Sequence, residues 1–296
     1  MKKKVTFILN PISGTYNKRN LGDLIEKNLD KSNFDWEIIH TERAGHATEI
    51  AKEKVEQGVD VVAAVGGDGT VNEVARSLIH TDATLAIIPM GSGNGLARHL
   101  KIPLDAKDSM QVFNTGVVDE IDYGKANGQP FFCTCGIGFD AFVSLKFARA
   151  NRRGMLTYVE KALYEGLHYK PQLYKVCVDD RCTEFEAYLI TCGNASQYGN
   201  NAYITPLASL KDGFIDVTVM EQMNLFEIPQ VAFHLFNGTI NRHNKVKSFR
   251  CRKLFVQCST ETDIHFDGDP MGKDTELAIE AIAKGLNVLV PNFLKR

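Results

Sequence analysis

Two glycine-rich turns hold the residues of this chain whose types and spacing are best suited to chemistry. The apolar run Val61–Val65 leads into Gly66–Thr70, which reads Gly-Gly-Asp-Gly-Thr and is followed by a helical pattern. A second apolar run, Ala86–Met90, leads into Gly91–Gly95 and another helical start. Glycine removes the Cβ that would block a close approach, and free N–H groups at a helix start attract an anion. Because the two strands should lie side by side, the turns predict a crevice for nucleotide phosphates.

Asp68 is the unusual residue of the first turn, because a carboxylate beside a phosphate repels it. Its presence makes sense if the carboxylate holds a metal ion, takes a proton or orients the loop. In the second turn, Ser92 or Asn94 is a natural cap for the helix that follows. The alternative interpretation is that both turns use glycine for geometry alone, as many strand-to-helix connections do.

Composition and charge set limits on the class of protein. At 296 residues the chain can bury a substantial core and is expected to form two domains. Its formal net charge of −2 gives no field that would recruit nucleic acid. The opening Met1–Asn10 lacks the apolar segment of a signal peptide, and no stretch could span a bilayer, so we expect a cytoplasmic protein. Cys133 and Cys135 have no partner pair at zinc spacing, which favours buried reduced thiols.

The hydrophobic pattern changes character near residue 123. Before that point strands and helical segments alternate, which predicts βαβ units and a parallel sheet covered on both faces. We expect this α/β domain to span residues 1–123, with 286–296 returning to it, and a mainly antiparallel β-sandwich domain with edge helices to span 124–285. The segments expected in the second domain are strands over Phe131–Gly136, Tyr174–Val178, Glu184–Thr191, Phe214–Met220 and Leu254–Cys258, and helices over Ala141–Tyr169 and Phe226–Phe236.

Seven short motifs resemble, in the same order, those of the diacylglycerol-kinase-type catalytic family, which includes bacterial lipid kinases and the sphingosine and ceramide kinases. They are Asn10–Gly14, Thr41–Ala47, Gly66–Asn72, Gly91–Asn94, Gly138–Ala141, Lys211–Gly213 and Asp267–Asp269. One such motif is a weak signal, but seven in sequence over nearly the whole chain are specific. The resemblance implies an NAD-kinase-like fold for the first domain.

The resemblance implies an enzyme, a lipid kinase that uses ATP and Mg²⁺. It would transfer the γ-phosphate to the hydroxyl of a diacylglycerol or sphingoid-type lipid bound in the cleft between the domains. The positions that match the family's nucleotide contacts are Asn10, Thr41, Gly66, Gly67, Asp68, Gly69, Thr70, Val71, Asn72 and Ser92. Glu73 is a candidate for a ribose contact, with an ordinary exposed helix position as the alternative.

Two further roles follow from the resemblance. The family's catalytic base lies in an Asp-Gly-Glu segment, so Asp269 inherits the role of proton acceptor with a side chain one methylene shorter. Without the resemblance, Asp267–Asp269 would be interpreted as a plain turn. Asp140 matches an aspartate that binds the acceptor head group in sphingosine kinases, and a helix-capping aspartate is the alternative.

A magnesium site is also implied by the resemblance. One carboxylate, that of Asp212, would be joined by the backbone carbonyls of Ser209 and Phe214. A few oxygens and several waters suit the octahedral preference of Mg²⁺. A simple Asp-Gly hairpin turn is the competing interpretation, and it does not exclude the metal.

Partners are expected at a membrane surface. Basic residues at Arg149, Arg152 and Arg153 and across Arg242–Lys253 predict weak, salt-sensitive adsorption to anionic lipid, so the cytoplasmic protein would associate with membranes transiently. A solvated strand face is the alternative explanation of these clusters. Exposed strand edges in the second domain permit a homodimer without requiring one.

Two other functions stay open. A soluble-metabolite kinase of the NAD-kinase type would use Asp68 itself as the catalytic carboxylate. A nucleotide-binding regulator without turnover is suggested by Asp269 in place of glutamate and by Thr15 at a position where bacterial relatives often carry lysine. It would bind ATP and phosphorylate nothing.

Overall fold

The chain divides into two compact units. The structure, a computed structural model, describes residues 2–11, 21–149, 164, 169–178 and 181–292. The first unit comprises Met1–Ile121 and Lys284–Arg296, and the second comprises Asp122–Ala283. Among the described residues, no helix is both long enough and apolar enough to cross a membrane.

The first unit is built on a parallel sheet. Its strands are β1 (Lys3–Leu9), β2 (Phe34–His40), β3 (Val61–Gly66), β4 (Thr84–Pro89) and the last part of β14 (Asp269–Val290). Their order is β14-β4-β3-β1-β2, with Val288 of β14 opposite Leu85 of β4. Every residue of β3 and β4 is buried, as expected for strands that have helices on both faces.

Five helices of the first unit are described. They are α1 (Leu21–Asn28), α2 (His46–Glu56), α3 (Asp68–Leu78), α4 (Gly95–His99) and α5 (Ala106–Thr115). Helices α1 and α5 pack through Ile25 and Phe113 against the sheet face that carries Phe7. Helix α3 begins at Asp68, inside the first glycine turn, whereas the sequence placed the helical pattern after Thr70. The aspartate, glycine and threonine of the first turn are therefore the opening residues of a helix.

The second unit is mainly antiparallel. Strand β5 (Val117–Ala126) leads into this unit. The strands that follow it are β6 (Gln129–Phe131), β7 (Thr134–Gly138), β8 (Gln172–Val178), β9 (Arg181–Ala187), β10 (Leu189–Gly193), β11 (Ile215–Met220), β12 (Val246–Cys251) and β13 (Lys253–Phe266). They run in the order β12-β11-β10-β7-β13-β14, and the β8–β9 hairpin pairs with β13. Large buried side chains fill the core of the sheet, among them Phe131, Tyr174 and Phe266.

Two helices accompany this sheet in the described part of the chain, α6 (Phe139–Arg149) and α7 (Ile228–Phe236). Helix α7 buries Ile228, Val231 and Leu235 in a second apolar cluster. The predicted fold class, a parallel α/β domain followed by an antiparallel β-rich domain with helices, is confirmed.

Several predicted boundaries in the second unit differ from the observed ones. The single strand expected over Glu184–Thr191 is two strands, because Tyr188 leaves the pairing of β9 and bonds to the backbone of Met220. Strand β13 continues eight residues past the predicted end at Cys258, to Phe266. The helix expected from Ala141 is observed to Arg149, and most of its remainder lies outside the described residues.

The cysteines divide into two groups. Cys133 and Cys135 are buried free thiols, as predicted. Cys177 and Cys182 form a disulfide, which the sequence analysis did not anticipate. They lie directly opposite each other in the β8–β9 hairpin, so the bond joins two strands that already pair.

Candidate active site

The two glycine turns touch each other through their backbones. A Cβ on Gly91 would lie 2.5 Å from the Cα of Gly67, and a Cβ on Gly67 would lie 3.2 Å from the Cα of Gly91. The turns meet because β3 and β4 are neighbours, with Gly66 opposite Pro89 at their carboxyl ends. Side chains on either glycine would push the turns apart. The close packing of the two turns is therefore one reason for glycine at positions 67 and 91.

Asp68 ties the first turn to the second. Its Oδ2 accepts a hydrogen bond from the backbone N–H of Asn94 at 2.8 Å, and its Oδ1 accepts one from Gly95 at 2.6 Å. Burial raises the pKa of the Asp68 carboxyl, while these hydrogen bonds and the charge of Arg98 lower it in part. Of the three roles that the sequence left open for Asp68, orientation of the loop is the one carried out by these contacts.

The cap of α4 differs from the prediction. Asn94 occupies the cap position with a left-handed φ of 52° but makes no side-chain bond to the helix. Its side chain folds back instead: Oδ1 accepts from the N–H of Gly91, and Nδ2 donates to the carbonyl of Gly91. The N–H groups of Asn94 and Gly95, at the start of α4, donate instead to Asp68, which is 26 residues away from Asn94 in the sequence.

A pocket of about 310 Å³ opens beside the first turn. Its lining comes from the residues after three adjacent parallel strands, because Asn10 follows β1, Thr41 follows β2 and Gly67 follows β3. The described residues that line it are Asn10, Thr41, Glu42, Arg43, Ala44, Gly67, Gly69, Thr70 and Glu73. Ligands of parallel α/β sheets bind at this edge, beyond the carboxyl ends of the strands.

Gly69 and Thr70 give the pocket the features of an anion site. A Cβ on Gly69 would meet no atom within 4 Å, so neighbouring protein atoms do not account for glycine there. Thr70 presents a hydroxyl that accepts a hydrogen bond from Nδ2 of Asn10 at 3.2 Å. Both residues lie in the first turn of α3, where backbone N–H groups lack partners within the helix.

Glu73 joins two of the sequence motifs, a role that the sequence analysis missed. Its Oε1 accepts from the N–H of Gly45 at 3.0 Å and its Oε2 from the N–H of Ala47 at 3.1 Å. The carboxylate thus caps the start of α2 and fastens it to α3. Glu73 lies in the helix that follows the glycine turn, and nothing in the neighbouring sequence indicates a contact with residues 26 and 28 positions away.

The predicted nucleotide residues fall into two groups. Asn10, Thr41, Gly67, Gly69 and Thr70 line the pocket. The others, Gly66, Asp68, Val71, Asn72 and Ser92, are absent from its described lining. Asn72 is buried, and its Nδ2 has no hydrogen-bond partner within the described part of the chain. Ser13, Gly14 and Thr15 lie outside the described residues.

In the second unit, the Asp267–Asp269 segment is a tight hairpin turn. Asp267 and Gly268 are the two central residues, with φ of 52° and 88°, and Phe266 pairs with Asp269 across them. Positive φ at both positions is the type I′ turn that Asp-Gly favours. The Asp267 carboxylate accepts backbone hydrogen bonds from Phe132 at 2.8 Å and from the two following residues. Asp269 is the first residue of β14 and is exposed.

Asp140 belongs to a buried network of side chains. Its Oδ1 accepts from the hydroxyls of Thr191 and Tyr198, and its Oδ2 pairs with Nε2 of His265. The Asp140 side chain is fully buried, so contact with an acceptor head group would require this network to open. Asp140 lies in the first turn of α6, but the described bonds of its carboxylate all go to side chains. Its acceptor-binding role stays a prediction.

The residues proposed for magnesium have oxygen chemistry that fits a hard cation. Oδ1 of Asp212 accepts from the N–H of Phe214 at 3.2 Å, and Oδ2 lies 3.4 Å from Nη1 of Arg250. Nearby, Oδ2 of Asp216 is buried with no hydrogen-bond partner in the described structure, and burial raises the pKa of that carboxyl. Among the described residues, no group of three or more His, Cys, Asp or Glu side chains is placed to hold a metal ion. The set therefore fits only an ion that keeps most of its waters.

Two protein-family models together match most of this chain. Residues 4–126 match the profile of the diacylglycerol kinase catalytic domain, and residues 133–290 match the YegS C-terminal NAD kinase beta sandwich-like domain. A diacylglycerol kinase of Staphylococcus saprophyticus is 30% identical over 304 residues, which cover 100% of this chain and 98% of the relative. A diacylglycerol kinase of Staphylococcus epidermidis is 29% identical over 92% of this chain and 88% of its own.

Solved structures support the same fold. A diacylglycerol kinase from Bacillus anthracis str. Sterne has a TM-score of 0.75 at 22% identity, over 98% of this chain and 97% of that one. A second protein from that organism has a TM-score of 0.79 at 24% identity, over 99% and 98%. The parallel α/β unit and the antiparallel β unit thus define a protein of the NAD-kinase-like fold class. The chain belongs to the diacylglycerol kinase catalytic family.

Proposed function

We propose that this protein is a kinase that transfers the γ-phosphate of ATP to the hydroxyl of a diacylglycerol or sphingoid-type lipid. The observation that carries the proposal is the pocket beside the first glycine turn, where Gly69 has open space and α3 begins. Membership of the diacylglycerol kinase family supports a lipid as acceptor. The first unit would bind the nucleotide, and the second unit would supply residues for the acceptor and the metal.

The nucleotide phosphates would bind at the start of α3. There the backbone N–H groups of the first turn and the hydroxyl of Thr70 are donors, and the helix dipole favours negative charge. Asn10 and Thr41 would contact the nucleotide from the ends of β1 and β2. Phosphoryl transfer needs mainly positioning and neutralisation of charge, which such a rigid set of donors supplies.

Asp269 would accept the proton of the attacking hydroxyl. Asp269 is an exposed residue at the start of β14. Loss of a general base typically lowers the rate about a hundredfold to ten-thousandfold. Mg²⁺ would enter as Mg-ATP, and Asp212 with the carbonyls of Ser209 and Phe214 would hold a further ion. A cation there would offset the charges of Asp212 and Asp216, a task that Arg250 shares.

Contact with an anionic membrane would involve the two basic clusters of the chain. Arg152 and Arg153 lie outside the described residues. In the second basic cluster, Arg250 pairs with Asp216 at 3.2 Å and Lys253 with Glu280 at 2.8 Å, which reduces the charge available to anionic lipid. We still expect transient, salt-sensitive adsorption from the cytoplasm. Cosedimentation with anionic vesicles that did not change with ionic strength would contradict it. A homodimer stays a prediction.

Two alternatives remain, a soluble-metabolite kinase of the NAD-kinase type and a regulator without turnover. The first would use Asp68 as its catalytic carboxylate. Both oxygens of Asp68 already accept backbone hydrogen bonds, which favours a structural role for this residue. The second predicts ATP binding without any phosphorylated product.

The decisive experiment follows transfer of labelled γ-phosphate with Mg²⁺ to detergent-dispersed diacylglycerol, to sphingosine and to NAD. The variants are Asp269→Asn and, as a matched control, Asp263→Asn, which removes another exposed carboxylate of the same unit. We expect a labelled lipid with wild type and Asp263→Asn, and about a hundredfold or greater loss with Asp269→Asn. Labelled NAD would favour the metabolite kinase, and ATP binding without any product would favour the regulator.

A further inference from the structure

The turn that presents Asp269 is held at two points. The carboxylate of Asp267, the first of its two central residues, accepts hydrogen bonds from three consecutive backbone N–H groups that begin at Phe132. Its second residue, Gly268, donates its N–H to Nδ1 of His265 at 3.3 Å. The position of Asp269 follows from both contacts, because it is the next residue in the chain.

The contact with Gly268 selects the tautomer of the neutral His265 ring. Nδ1 accepts a hydrogen bond, so in the neutral ring the proton is on Nε2. Nε2 then donates to Oδ2 of Asp140. The ring cannot rotate without losing both bonds, and a carboxylate that accepts from one imidazole nitrogen commonly orients the other.

Asp140 is itself fixed from the opposite side. Two hydroxyls, those of Thr191 and Tyr198, donate to its Oδ1. All of these side chains are almost completely buried. The backbone of Gly136, which is opposite His265 in the β7–β13 pairing, packs so closely against the Asp140 carboxylate that a Cβ on Gly136 would overlap it.

We propose that His265, held by Asp140, is a positioning residue for the carboxylate of Asp269. The inference rests on the proposed role of Asp269 as proton acceptor. The side chain of aspartate is short, so the reach of the Asp269 carboxylate depends strongly on where the turn places its backbone. A displacement of about 1 Å at a reacting group can cost about a hundredfold in rate. The buried network limits such displacement at Gly268.

Two conservative variants separate this role from general stability. His265→Asn keeps an acceptor near the place of Nδ1 and loses the donor to Asp140. His265→Gln places its amide near Nε2, keeps a donor to Asp140 and loses the acceptor for Gly268. Both remove an imidazole from the same buried site, so both should lower the free energy of unfolding.

The measurement is kcat and KM for ATP and lipid, with amide hydrogen exchange at Gly268. We expect His265→Gln to lose at least about tenfold more kcat than His265→Asn, with KM for ATP unchanged and faster exchange at Gly268. Equal kcat in the two variants, alongside an active wild type that needs Asp269, would overturn the inference and leave the kinase proposal standing. A wild type that phosphorylates no lipid would overturn both. A drop in kcat that follows stability alone would also reject the positioning role.

Discussion

Gly67 and Gly91 meet backbone to backbone, and Asp68 bonds across the same contact to the start of α4. The two glycine turns are therefore one structural element assembled from two strand ends. The glycines of these turns differ in the space that surrounds them. Gly67 and Gly91 are required by the neighbouring turn, whereas Gly69 faces open space.

This difference gives a first prediction. Gly91→Ala places a methyl group 2.5 Å from the Cα of Gly67, so it should lower the melting temperature and weaken ATP binding together. Gly69→Ala meets no protein atom and improves helix propensity by about 1 kcal/mol, so it should leave stability unchanged or raised. If phosphate approaches Gly69, this second variant still loses ATP affinity. Calorimetric titration and thermal melting measure both quantities. Unchanged affinity in Gly69→Ala would argue against phosphate at this position.

Asp68→Asn should destabilise the protein. One of the two acceptor oxygens becomes an NH₂ group that faces a backbone N–H of Asn94 or Gly95. An unsatisfied buried donor costs about 1–3 kcal/mol, and urea unfolding measures that loss in the first unit. Asp263→Asn, at an exposed position, serves as the control. A variant as stable as wild type would show that the two backbone hydrogen bonds contribute little.

His99 should make stability sensitive to acid. Burial, together with the charge of Lys101, lowers the pKa of His99 from 6.5 to about 4. The unfolded chain therefore takes up this proton first as pH falls, and stability is lost between pH 6.5 and 4. The loss at pH 4 is about 3 kcal/mol relative to neutral pH. His99→Gln should remove this part of the pH dependence of the free energy of unfolding. Parallel curves for the variant and wild type would contradict the prediction.

The Cys177–Cys182 disulfide should be detectable by counting thiols. The chain has seven cysteines, of which five are free. Denatured protein should therefore titrate five thiols before reduction and seven after. Opening a loop this short should cost about 2 kcal/mol of stability. The Cys177→Ser and Cys182→Ser double variant should show the same loss, and reductant should leave that variant's melting temperature unchanged. Seven thiols without reductant would contradict the bond.

Some of the site could be predicted from sequence because its parts are short and contiguous. The glycine turns, Thr41–Ala47 and Asp267–Asp269 each lie within a few residues, so their chemistry shows in the local pattern. Strands β3 and β4 were predictable for the same reason, since each is a continuous apolar run between turns.

The remainder depends on contacts between distant residues. Asp140 and His265 are 125 positions apart, and Glu73 is 28 positions from Gly45. No local pattern marks such pairs, so neither the buried network nor the cap of α2 could be inferred. Residues 286–296 were expected to return to the first domain, but the earlier part of β14 was missed for another reason. Its first five residues, Asp269–Lys273, are all exposed, and their side chains do not alternate between apolar and polar types.

The pairing of β14 with β4 also affects synthesis. Strands β1 to β4 precede the second unit in the chain, while the segment that pairs Val288 with Leu85 follows it. A ribosome therefore completes the second unit while one edge of β4 still lacks its neighbour. Unpaired apolar edges are sites of aggregation in partly made chains. The first unit thus passes through a vulnerable interval during translation, and any product that stops before Val288 retains that open edge.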